Sequence, residues 1–148
     1  QSNRAFWREY IQNKPKFDII IDDGGHKMQE QIVTFEELYD HVKDDGIYLC
    51  EDTHTSYWHE WGGSTYHNNT FIEYSKRFID MLHYQYISNY RCHGHLDNDA
   101  DIKFKNFRDS TESIHYYDSV VILEKKKYDK KHEVIAGPGS SILKQYTV

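Results

Sequence analysis

Two short acidic motifs hold the residues best suited to chemistry, Asp22-Asp23-Gly24-Gly25-His26 and, further on, Glu51-Asp52. Together Asp23, His26, Glu51 and Asp52 offer three carboxylates and one imidazole, a donor set for a hard cation. Magnesium takes oxygen ligands, keeps several of its waters and is held by few carboxylates. Zinc calls for more histidine or cysteine than His26 supplies. A metal held by these acids would polarise a substrate hydroxyl and lower its pKa, and His26 would take the proton as general base. The bland alternative is that strand-end acids cap the next helix, and Asp22 in particular could simply orient its loop. The same acids would also serve a metal-dependent hydrolase.

Positioning these residues requires two strand ends side by side. Phe17-Asp18-Ile19-Ile20-Ile21-Asp22 is a dense β-branched run with the pattern of a buried parallel strand. Met28, Ile32, Phe35, Tyr39 and Val42 recur at helical spacing, predicting an amphipathic helix over 28–42. Asp44-Asp45-Gly46 supplies a turn, and Ile47-Tyr48-Leu49-Cys50 predicts the second strand. A right-handed strand-helix-strand crossover brings both acidic ends to one rim, where ligands bind in open α/β sheets.

Around this unit, Asn3 is placed to cap a short helix carrying Phe6, Trp7 and Tyr10 and ending before Pro15. Residues 53–65 form a loop rich in Trp, Tyr, His and Gly, a candidate lid over the rim. In it Tyr57 and Trp58, with Trp61, could stack on a sugar or seal the core, and His54 could support the site or contact substrate, although its sequence slightly favours an exposed loop histidine. Phe71, Tyr74, Phe78 and Leu82 predict a further helix, and residues 88–110 are expected to be irregular. Residues 113–117 and 119–123 read as an antiparallel hairpin or a bent strand at the sheet edge, with the lysine run from Lys125 as its solvated end. Cys92, His93, His95 and Asp97 lack the second ligand pair of a zinc site.

With 148 residues the chain is expected to form a single domain. A net charge of -6 gives no basic field for a phosphate backbone, so nucleic acid is not the expected partner. No stretch reaches the roughly 18 apolar residues of a membrane span. Two cysteines make no disulfide framework, which fits a reducing cytoplasm. The oligomeric state stays open, a homo-oligomer included.

The run from Phe17 through His26, followed by Ile47 through Trp58, resembles the magnesium-dependent macrolide-sugar O-methyltransferases, the mycinamicin and macrocin enzymes and their rhamnosyl and cephalosporin-hydroxylase-like relatives. The resemblance extends from Gln1 to about Lys125 and includes Ser113 to Val121. Where the family reads Asp-Gly-Ser-His, this chain has Asp23-Gly24-Gly25-His26, with the same acid-to-base spacing.

The resemblance implies the C-terminal half of a Rossmann-like class I methyltransferase sheet, with parallel strands and an antiparallel edge strand. It implies S-adenosylmethionine and Mg2+ as cofactors, a small-molecule sugar or glycoside as substrate, Asp23, Glu51 and Asp52 as metal ligands, and His26 as the base. Gln1 and Ser2 resemble the end of the family's adenine-contacting segment, and Asp22 would face the donor. No glycine-rich loop after a first strand occurs in the chain, so it is expected to begin midway through the domain. A methyltransferase-like binding or assembly subunit without catalysis is the rival expectation.

Overall fold

A computed structural model of the chain describes residues 1–87 and 98–126. Helix α1 (Arg4–Ile11) begins at Asn3, whose side chain accepts from the Phe6 N–H, the cap expected from the sequence. Strand β1 (Phe17–Asp22) leads through the glycine turn into α2 (Met28–Leu38), where Lys27 N–H donates to the Glu30 carboxylate. The helix is shorter than predicted: residues Tyr39–His41 tighten into a 3₁₀ turn. Strand β2 (Val42–Cys50) then starts earlier than expected. Phe17 pairs with Val42 but Ile19 with Ile47, so the Asp44-Asp45-Gly46 turn is an outward bulge within one long strand.

Beyond β2 the predicted loop contains two 3₁₀ turns, Thr53–Tyr57 and His59–Trp61. Helix α3 (Phe71–Leu82) is capped by Thr70, and α4 (Tyr84–Ile87) follows. Helix α5 (Asn98–Ser110) occupies much of the stretch predicted to be irregular. Among its described side chains Phe104 and Phe107 pack on the core, too few to reveal a helical period. The Cys92-His93-His95-Asp97 group and the tail after 126 lie outside the described residues.

Strands β3 (Thr111–Tyr117) and β4 (Val120–Lys125) complete a four-stranded sheet in the order β1-β2-β4-β3. β1 and β2 are parallel, as the crossover requires, whereas β4 runs antiparallel to both neighbours and places β3 on the edge. The α/β sheet with an antiparallel hairpin at its border is the expected architecture. Within it, the reversed strand lies one place in from the edge.

The core forms on one face of this sheet. Tyr48, Cys50, Val121 and Leu123 are fully buried beneath Ile32, Phe35 and Leu38 of α2, Phe71, Phe78 and Met81 of α3, and Phe107 of α5. Phe78 joins three elements, its ring centroid 4.5 Å from Phe35 and 5.3 Å from Phe107. The alternate residues of β1 point away: Ile19 is 59% exposed and Ile21 60%. The expectation of a wholly buried β1 is therefore corrected among the described residues, whose helices cover one side of this strand.

Lys125 corrects the solvated-end reading. It is 5% exposed, its Nζ donates to the Tyr39 carbonyl at 3.1 Å and lies 4.7 Å from the Tyr39 ring centroid. Burial pushes its ammonium below the ordinary lysine range. No helix among the described residues is long and apolar enough to cross a membrane.

Candidate metal centre

Parallel pairing of β1 and β2 sets Asp22 opposite Cys50, and the Glu51 N–H donates to the Asp22 carbonyl at 3.0 Å. The residues immediately after each strand therefore leave the sheet at one place. Asp22 points inward and is 5% exposed. Burial pushes its carboxyl upward, against hydrogen bonds from Gln1 Nε2 at 2.7 Å and the Tyr48 hydroxyl at 3.1 Å. The Gln1 side-chain oxygen also accepts from the Gly25 N–H, and its amide fills the space a Cβ on Gly24 or Gly25 would need. Gln1 and Asp22, two of the three residues the sequence pairs with a cofactor, are thus in direct contact. Ser2 beside them is exposed.

The next residues turn outward. His26 has φ +36° and Asp52 φ +52°, both in the left-handed region that non-glycine residues rarely occupy. Such strain persists only where surrounding contacts hold it, and it gathers at functional sites. Here the contacts come from Thr55. Its buried hydroxyl lies 2.8 Å from the His26 carbonyl and 2.9 Å from that of Asp52, tying the two loops together.

The result is a cluster in which one ligand atom each from Asp23, His26 and Asp52 lies within 4.8 Å of the others. His26 Nε2 is 3.4 Å from Asp52 Oδ2 and 4.0 Å from Asp23 Oδ1. The His26 ring meets Trp61 edge-on at 5.9 Å, and its buried Nδ1 has no hydrogen-bond partner among the described residues. Glu51 does not belong to this converging group. Its carbonyl accepts from Gln31 Nε2 at 3.0 Å, and it sits half-buried one residue before Asp52. Among the described residues, the basic side chains within 4 Å of the Asp23 and Asp52 carboxylates are His26 and His54. Carboxylates gathered without a lysine or arginine make a favourable place for a divalent cation.

Two residues that sequence reasoning left aside belong to this centre. His54 Nδ1 is 2.5 Å from Ser119 Oγ and 3.9 Å from Asp52 Oδ1, and its ring packs edge-on against Trp58 at 4.4 Å. Thr55 gave no sequence signal, because its role depends on both loops being in place. Tyr57 and Trp58 diverge: Tyr57 lines a groove beside the centre, and Trp58 supports His54.

The L-olivosyl-oleandolide 3-O-methyltransferase of Streptomyces antibioticus is 35% identical over 89 residues, 57% of this chain and 23% of the relative. The mycinamicin VI 2''-O-methyltransferase of Micromonospora griseorubida is 27% identical over 135 residues, 88% of this chain and 31% of the relative. This chain is similar in sequence to sugar O-methyltransferases. A solved member of that family, the MycE methyltransferase of the mycinamycin pathway in complex with Mg and SAH, superposes with a TM-score of 0.70 at 26% identity. The match covers 87% of this chain and 32% of MycE, which gives the present sheet the family's methyltransferase fold. The chain thus spans between 23% and 32% of the length of these three relatives. No family model matches it.

Proposed function

We propose that this chain forms the metal-binding and acceptor-holding part of an S-adenosylmethionine- and Mg2+-dependent O-methyltransferase acting on a hydroxyl of a sugar or glycosylated metabolite. The observation that carries the reading is the convergence of Asp23, His26 and Asp52 at the ends of two adjacent parallel strands. Support comes from relatives named for methylating olivosyl and rhamnosyl groups and from a similar structure with Mg and SAH.

The donor set fits magnesium, being rich in carboxylate oxygen and poor in soft ligands. Asp23 and Asp52 would hold the ion, and Glu51, outside the converging group, would add its negative charge from the neighbouring position. Bound there, Mg2+ supplies Lewis acidity toward an acceptor hydroxyl, and S-adenosylmethionine supplies the methyl group. His26 Nε2 faces the same space and would take the proton of an acceptor hydroxyl. Trp61 against the imidazole and Thr55 beneath its backbone limit how far His26 can turn. Gln1, Ser2 and Asp22 serve the donor from the β1 rim, and Tyr57 and Trp58 serve the acceptor side.

The test is transfer of labelled methyl from S-adenosylmethionine to a panel of rhamnosides and olivosides by the protein. Label should reach an acceptor with Mg2+ and not with excess EDTA. Transfer undiminished by EDTA would remove the metal from the reaction.

A further inference from the structure

Helix α2 buries a glutamine where its pattern calls for an apolar residue. Met28, Gln31, Ile32 and Phe35 share one helical face, and Gln31 is 1% exposed among them. Burying an amide is costly unless its hydrogen bonds are made, and here only the donor side is served. Gln31 Nε2 donates to the Glu51 carbonyl at 3.0 Å, whereas Oε1 is buried with no partner among the described residues. Turning the amide over would set two acceptors, Oε1 and the Glu51 carbonyl, against each other. The N–H is therefore what this side chain contributes.

That N–H holds a peptide plane. The Glu51 carbonyl belongs to the peptide joining Glu51 to Asp52, and because the peptide is planar, fixing its oxygen also fixes the bond that enters the Asp52 Cα. Glu51 is anchored on its other side by β1, its N–H donating to the Asp22 carbonyl at 3.0 Å. Immediately beyond stands Asp52 at φ +52°, a left-handed conformation that persists only while neighbouring contacts enforce it. Turning the Glu51–Asp52 peptide over would let Asp52 return to negative φ and give up the placement that sets its Oδ2 3.4 Å from His26 Nε2.

The geometry points to Gln31 as a positioning residue of the metal centre: its amide locks the Glu51–Asp52 peptide so that the Asp52 carboxylate faces Asp23 and His26, an inference that rests on the metal-centre reading above. Both peptides flanking Asp52 are then pinned. Gln31 holds the one before it, and Thr55 holds the one after it through its N–H at 3.1 Å and its hydroxyl at 2.9 Å. Helix α2 begins just after His26, so the same rigid element that carries Gln31 also continues the loop bearing Asp23 and His26. One helix thereby sets the two acidic loops against each other, an arrangement in which groups outside the ligand set fix the ligands.

Gln31→Met keeps the length of the side chain and removes the amide. It deletes an unpartnered acceptor but leaves the Glu51 carbonyl without this donor, two opposed effects on stability, so the urea midpoint should stay near the parent's. Mn2+ affinity, read by electron paramagnetic resonance, should nevertheless fall about tenfold or more. In hydrogen exchange without metal, the Thr55 amide that bonds to the Asp52 carbonyl should exchange about fivefold or more faster, a local opening at unchanged global stability. Gln31→Asn, whose amide falls one methylene short of the Glu51 carbonyl, should lose Mn2+ affinity likewise. Ile32→Val, at the next position of α2, should lower the urea midpoint and leave Mn2+ affinity at the parent value. Parental affinity in both Gln31 variants overturns the proposal, and so does an affinity loss that Ile32→Val reproduces, which would make Gln31 a packing residue. If the parent binds no Mn2+, the metal reading fails and Thr55 exchange alone decides: faster exchange in Gln31→Met supports the positioning of Asp52, and parental exchange overturns it.

Discussion

His26 Nε2 stands 3.4 Å from Asp52 Oδ2, across the gap between the ends of two parallel strands. That spacing lets the imidazole work beside a carboxylate-held metal without itself being needed as a ligand. His26→Ala should therefore lower kcat by about 10²–10⁴-fold while Mn2+ affinity stays near the parent value. Steady-state kinetics paired with a Mn2+ titration reads both. Loss of affinity in step with loss of turnover would make His26 a ligand, and unchanged turnover would remove it as base.

Thr55 donates toward the carbonyls of both strained residues, His26 and Asp52. Thr55→Val keeps the shape and deletes the hydroxyl, taking that donor from the His26 carbonyl while the Asp52 carbonyl keeps the Thr55 N–H at 3.1 Å, at a cost of about 1–2 kcal/mol. Urea unfolding should show a lowered midpoint for Thr55→Val and a near-parental one for Thr55→Ser. Equal midpoints for the parent and the valine variant would mean that water serves the carbonyls equally well.

Acid should loosen the attachment of α1 to α2. Burial alone would raise the Glu36 carboxyl, but hydrogen bonds from Arg4, Tyr74 and Lys103 outweigh it and hold the group below the ordinary glutamate range. The hydrogen bond from Arg8, joined by one from Arg4, holds Glu37 low as well, against the opposing effect of burial. A carboxyl depressed in the folded state stabilises above its unfolded pKa of about 4.3, and that stabilisation is lost as pH falls through the lower folded value. Melting temperature should drop below about pH 4.3, and the drop should be shallower in Arg4→Met. Identical pH slopes would show that these pairs are too exposed to matter.

Much of this was legible in the sequence because the signals were local and repeated. The β-branched run 17–22, the helical stripe from Met28 and the short run 47–50 each declared an element, and chain connectivity made their acidic ends neighbours. Features that depend on distant partners stayed hidden. Lys125 is buried only because the Tyr39 carbonyl and ring are there to receive it, and α5 is a helix whose period two phenylalanines could not announce. Ile19 and Ile21 read as core, since a hydrophobic run cannot tell which side of an edge strand the helices will cover. At the centre, Asp23, His26 and Asp52 converge as residue chemistry suggested, and His54 and Thr55 gain their roles from Ser119 and the His26 backbone.

Metal binding itself gives the most direct test. Electron paramagnetic resonance of Mn2+ added to the protein should show a bound ion displaced by Mg2+, with affinity falling about 10–100-fold or more in Asp23→Asn and Asp52→Asn, and falling also in Glu51→Gln. Mn2+ binding of the same strength in the parent, Asp23→Asn and Asp52→Asn would contradict a magnesium centre at these strand ends.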